Sequence, residues 1–151
     1  MTITEVSSST FLADTVNLIR NKIQANITDP IVSIRPGNEK FCMTSYPKRP
    51  VTYPIITVVD AGITQPQKLG MGSEGTVINI NIEIRIWGRN VMERDELFDS
   101  IYNYLRTNQL DSGTGLVASN LSDFKLISAV NVSEEKVQSK VMEVKFLFVC
   151  S

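Results

Sequence analysis

Between Thr76 and Trp87 the chain reads TVININIEIRIW. Ile78, Ile80, Ile82, Ile84 and Ile86 fall on every second position, and Asn79, Asn81, Glu83 and Arg85 fill the places between them. Successive side chains of a β-strand point to opposite faces, whereas a helix repeats every 3.6 residues. Only a strand therefore gathers these isoleucines on one side, and β-branched side chains suit its pleated surface. The segment demands a sheet with one buried apolar face and one polar face. At 3.3 Å per residue it is about 40 Å long, roughly twice a typical strand. A small domain seldom needs that length, so the outer part is expected to project beyond the core or to carry a neighbouring chain.

An apolar sheet face needs a cover, and two amphipathic segments can supply it. From about Ser9 to Ile27, Leu12, Val16, Ile19, Ile23 and Ile27 recur at helical spacings of three and four. Ser8 or Ser9 can cap the first turn, Asp14 lies near its positive end, and Pro30 stops continuation. The second helix is predicted over Val91–Asn108, with Arg94, Leu97, Phe98, Ile101, Tyr104 and Leu105 on one stripe. Asn90 followed by Glu93 is a variant of the capping box. Glu93, Asp95, Glu96 and Asp99 crowd its N-terminal half, where the helix dipole favours them.

The remaining segments are less regular. Arg35-Pro36-Gly37-Asn38 is a turn signal, and Phe41–Thr44 reads as a short strand. Pro47, Pro50 and Pro54 make SYPKRPVTYP extended, edge-type chain. Ile55–Val59 is a short strand, and Asp60–Gly75, with its four glycines and Pro66, is expected to be a long loop. Asp111–Gly115, reading DSGTG, is a second loop. Phe124–Val132 and Lys140–Val149 are predicted as a closing antiparallel pair, joined by a tip at residues 133–139. The order gives an α+β fold: an antiparallel or mixed β-sheet with two α-helices packed on one face, a single domain over residues 1–151.

Composition narrows the chemistry. The 151 residues include no histidine, two cysteines, 15 Lys or Arg and 16 Asp or Glu, for a net charge of −1. No His-based triad, His-ligated metal or imidazole switch is possible. Cys42 and Cys150 cannot build a four-thiolate zinc site and are expected to be free, mostly buried thiols. The N-terminus lacks a basic stretch before an apolar run, so no export signal is expected, and no run is apolar enough to predict a transmembrane helix. The sequons at Asn26, Asn120 and Asn131 are accordingly read as incidental. No cofactor is expected.

Individual motifs add little catalysis. Gly70-Met71-Gly72-Ser73-Glu74-Gly75 matches the dinucleotide glycine pattern, but a strand follows it where a phosphate-binding helix is required. Asp60, Glu74 and Glu83 are scattered, and no spacing forces a pair of them together. Lys48 and Arg49 beside Tyr46 and Tyr53 are a thin case for single-stranded nucleic acid; a Pro-rich docking arm is the alternative. The polar strand face of Asn79, Asn81, Glu83 and Arg85, with Trp87 at its end, is either solvated or a subunit contact. Arg94, charged yet on an apolar stripe, is a candidate to reach across an interface.

An N-terminal amphipathic helix, the stretch SYPKRPVTYP, then YPIITVV, a glycine loop, VININIEIRIW at 77–87, RDELFDSIYNYL and a closing hairpin follow one another. In this order, from about Phe11 to Val149, the chain resembles the tail terminator, or tail completion, proteins of tailed bacteriophages. The resemblance implies a structural virion protein, not an enzyme, made in the host cytoplasm and placed at the head-proximal end of the tail. It implies a ring, usually a hexamer, that caps the tail tube and ends its polymerisation. Its partners would be further copies of itself, the tail tube protein and a neck or connector protein, with no membrane involved. DNA would cross the lumen without sequence readout. By exposure and length, and not from the resemblance, the polar strand face, Arg94, the Asp60–Gly75 loop with Lys68 and Met71, and the 133–139 tip are the candidates to touch a neighbour or the tube. Another virion role, at the neck or baseplate, and a small carboxylate-using enzyme are the alternatives.

Overall fold

The computed structural model describes residues 11–31, 33, 35, 40–45, 52–69, 75–108, 121–133 and 137–150. The elements run α1 (Phe11–Asn26), β1 (Cys42–Met43), β2 (Ile55–Leu69), β3 (Gly75–Gly88), α2 (Val91–Asn108), β4 (Leu121–Ser133) and β5 (Gln138–Cys150). The strands form one five-stranded sheet in the order β1-β2-β3-β5-β4. β1 runs parallel to β2, and the other neighbours are antiparallel, so the sheet is mixed. This is the α+β arrangement that the order of segments predicts. No helix among the described residues is long and apolar enough to cross a membrane.

The strand period places the core. Ile80, Ile82, Ile84 and Ile86 of β3 are fully buried with Ile56 and Val58 of β2 and Met142, Val144 and Phe146 of β5. Leu18, Ile19 and Ile23 from α1, Ile27 just past its end, and Leu97, Ile101 and Leu105 from α2 close over the same face. Burying one such side chain contributes about 1.5–3 kcal/mol, so this face supplies most of the driving force. Asn26 Nδ2 donates to the Tyr104 hydroxyl at 3.1 Å, linking the two helices at their C-terminal ends. Lys140 ties α2 to β5: its Nζ lies 3.1 Å from Asp95 Oδ1 and 4.5 Å from the Phe98 ring centroid.

One expectation is corrected. Asp60–Gly75 is not a long loop: β2 continues to Leu69 and stays paired with β3 out to Leu69↔Gly75. Two register shifts, at Asp60/Gly62 and Thr64/Gln67, absorb the residues that look like strand breakers. At the first, Gly62 takes φ 123°, a conformation open to glycine, and its N–H donates to Asp60 Oδ1 at 2.7 Å. The second contains Pro66, which has no N–H to give to a ladder. The strands of the closing hairpin are also longer than their periodicity suggests, reaching Leu121–Ser133 and Gln138–Cys150. Pro36–Asn38, most of SYPKRPVTYP, Gly70–Glu74, the DSGTG loop and residues 134–136 of the 133–139 tip lie outside the described residues.

β1 is held from both sides. Arg20 Nε donates to the Cys42 carbonyl at 2.8 Å, and the Cys42 N–H donates to Gln24 Oε1 at 2.9 Å, so α1 grips it. Before it, Arg35 is buried against Asp29, with Nε 2.6 Å from Oδ2, and also donates to the carbonyls of Thr52 and Pro54. Its guanidinium lies 5.3 Å from the Phe41 ring centroid. This cluster fastens the connection after α1 to the start of β2.

Candidate assembly surface

Both helices lie on one face, so the opposite face of the sheet is the place to look for function. Its side chains sit in rungs across the strands. Thr57, Arg85, Val141 and Val130 form one rung; Val59, Glu83, Glu143 and Ser128 form the next; Asn81, Lys145 and Lys125 follow. Asn79, Asn81, Glu83 and Arg85 are all half-buried on this face, where alternation predicts them. The structure thus brings these four candidates onto one surface.

The electrostatics of that surface are unusual for a merely solvated face. Glu83 stands directly opposite Glu143, and like charges in that position destabilise an antiparallel pair. Arg85 offsets this weakly, with its Nε 3.9 Å from Glu83 Oε1. The Arg85 guanidinium also lies 5.4 Å from the Trp87 ring centroid, within cation–π range. Arg85 Nε and Asn81 Oδ1 are buried atoms without a hydrogen-bond partner among the described residues. A buried donor or acceptor left unsatisfied costs about 1–3 kcal/mol, so a neighbour that supplied partners would gain by it. Ala61, Glu83, Ser128, Val130, Val141 and Glu143 line a shallow hollow of about 270 Å³ here.

The other candidates are placed differently. Trp87 is only 7% exposed and packs with Ile55 and Val137, covering one corner of the face. Arg94 is 5% exposed: it is turned inward, with Nε donating to Asp95 Oδ1 at 3.0 Å, and does not present a free charge to a neighbour. Its place on the apolar stripe is met by burial of the stem within the subunit. Lys68 is carried on β2 opposite Thr76, and Met71 lies outside the described residues.

Sequence reasoning missed the sheet's edges. Leu126, Ile127 and Val130 on β4 are 37%, 50% and 55% exposed, although each is apolar. At the opposite edge β1 pairs only with Ile56 and Thr57, which leaves that side of β2 from Val58 onward without a neighbouring strand among the described residues. The loose alternation of Phe124–Val132 is the one sequence signal that marks β4 as atypical. Among the described residues, no group of three or more His, Cys, Asp or Glu is placed to hold a metal. Cys42 is a buried free thiol, its pKa pushed up to about 12 by desolvation and only partly countered by Arg20. No protein-family model and no curated protein matches the chain.

Proposed function

We propose that this chain is a structural virion subunit of the tail-terminator kind. Copies close into a ring, expected to be a hexamer, that caps the tail tube, ends its polymerisation and offers its other face to the neck or connector. The work is done by surfaces rather than by a catalytic group. The observation that carries the reading is the sheet face that neither helix covers, with its buried Arg85 Nε and Asn81 Oδ1 lacking hydrogen-bond partners among the described residues, built on a β2–β3 hairpin that runs on to Leu69↔Gly75. β2 has 15 residues and β3 has 14, against a usual strand of about 5–6, so the hairpin offers far more surface than two helices of ordinary length need beneath them. A net charge of −1 suits a ring whose lumen DNA crosses without being held.

The test is a polymerisation assay. Tail tube protein is allowed to grow in the presence of the purified chain, and tube ends are viewed by electron microscopy. Tubes of bounded length bearing a ring at one end are expected. Unbounded growth with bare ends would remove the proposal.

A further inference from the structure

The two edges of the sheet differ, and they complement each other. β4 forms one edge along 13 residues and carries the exposed Leu126, Ile127 and Val130. At the other edge, where β1 ends, α1 and β2 leave a groove of about 330 Å³ whose apolar lining includes Leu12, Ala13, Val16 and Val59, with Asp60 at its border. One edge thus has uncovered apolar side chains and the other an unfilled apolar groove. α1 packs against β1 and β2, and α2 against β3 and β5. Among the described residues, the helix-side face of β4 therefore has no substantial helix cover of its own.

Register and direction agree with a joint between copies. Asp60, Ile82, Val144 and Leu126 lie on one rung that crosses the sheet from the β2 edge to the β4 edge. β2 is antiparallel to β3, β3 to β5 and β5 to β4, so β2 and β4 run in opposite directions. A rotation about an axis roughly along the strands keeps those directions, so the β4 edge of one copy meets the β2 edge of the next as an antiparallel pair. The contact uses two different surfaces of the chain, which is what a closed ring requires.

We infer that β4 of one copy, over Leu121 to about Ser128, adds to the edge of β2 on the next from Val58 onward, where no neighbouring strand lies among the described residues, carrying the rung from Leu126 across to Asp60. The Leu126 side chain then enters the groove between α1 and β2, under the neighbour's Leu12 and Val16. The joint satisfies two rows of edge backbone groups and supplies the missing cover for β4 from the neighbour's α1. It rests on the reading that the chain self-associates, and names the contact by which it does so.

A disulfide scan tests it. Antiparallel partners place their Cα atoms about 4.5–5.5 Å apart, within disulfide range. The double variant Leu126→Cys/Asp60→Cys, in a Cys150→Ser background, is oxidised and run on a non-reducing gel; Cys42 is buried and serves as an internal silent thiol. A ladder of covalent oligomers is expected from the double variant and not from either single variant. Leu126→Cys/Ala61→Cys should give no ladder, because Ala61 lines the hollow on the opposite face of the sheet. Leu126→Glu should weaken self-association at least about tenfold in sedimentation, equivalent to about 1.4 kcal/mol, while leaving the circular dichroism spectrum unchanged.

Oligomers that form without the ladder, and that Leu126→Glu leaves intact, would overturn the joint while leaving a ring built by other contacts. A Leu126→Glu chain that still self-associates but no longer binds tail tubes would assign this edge to the tube protein and overturn the joint as well. A wild-type chain that stays monomeric at high concentration also overturns it. Whether such a monomer still stops tube growth then decides the functional reading separately.

Discussion

At the scale of single residues, two positions are tightly constrained by what surrounds them. A Cβ on Gly88 would lie 2.9 Å from the backbone nitrogen of Arg94. Backbone cannot swing aside as a side-chain tip can, so Gly88→Ala must shift the start of α2 against the end of β3. A loss of about 1–3 kcal/mol is expected in urea unfolding, the usual cost of overpacking. Cys42 makes a different prediction. Burial keeps its thiol protonated, with a pKa of about 12, and the thiolate is the reactive form. In the native chain it should resist iodoacetamide at pH 8 and should alkylate once urea opens the fold, which mass spectrometry of the Cys42 peptide would report.

At the scale of elements, the joints between segments are held by charge as much as by packing. The start of α2 is capped as its sequence predicts, with the Glu93 N–H donating to Asn90 Oδ1 at 2.8 Å. The Glu93 carboxylate accepts from the Arg89 backbone and guanidinium, one residue before the expected partner. That hydrogen bonding to Arg89 lowers the Glu93 pKa from its ordinary 4.5. A carboxylate lowered in the folded state contributes stability above its unfolded pKa and loses it as pH falls through the folded value. The stability advantage of the wild type over Glu93→Gln, followed by urea unfolding, should therefore hold at pH 7 and shrink on acidification below about pH 4.5. Arg35 has a larger role, because Asp29 is buried with it. Arg35→Ala should cost about 1–3 kcal/mol by leaving the part-buried Asp29 carboxylate with fewer hydrogen bonds. Asp29→Asn in that background should restore part of the loss, in the same unfolding measurement.

At the scale of the whole molecule, the sheet has one face spent on folding and one left over. Arg85→Ala and Glu83→Ala touch only the latter, so the melting temperature should stay close to wild type. If the face is a subunit contact, native mass spectrometry should show the oligomer falling apart at protein concentrations where the wild type holds. An Arg85→Ala chain that assembled normally would take the face out of the contact and leave the sheet edges to carry it. The edge joint and the open face make separate demands on the molecule, so variants of Leu126 and of Arg85 distinguish them.

The sequence by itself determined the strand TVININIEIRIW, its buried and polar faces, the helix over Val91–Asn108 and most of the helix from Phe11 to Asn26. These follow from period, which is a local property: each residue's face is set by its immediate neighbours along the chain. The surface of Asn79, Asn81, Glu83 and Arg85 was legible for the same reason. Tertiary structure alone decided what depends on partners distant in sequence. β2 crosses Gly62 and Pro66 because pairing with β3 outweighs the weak local preference for a loop, and bulges take up the mismatch. The strand order leaves β4 and most of β2 at the edges, an outcome no local pattern encodes, since an edge is defined only by the strand that is not beside it.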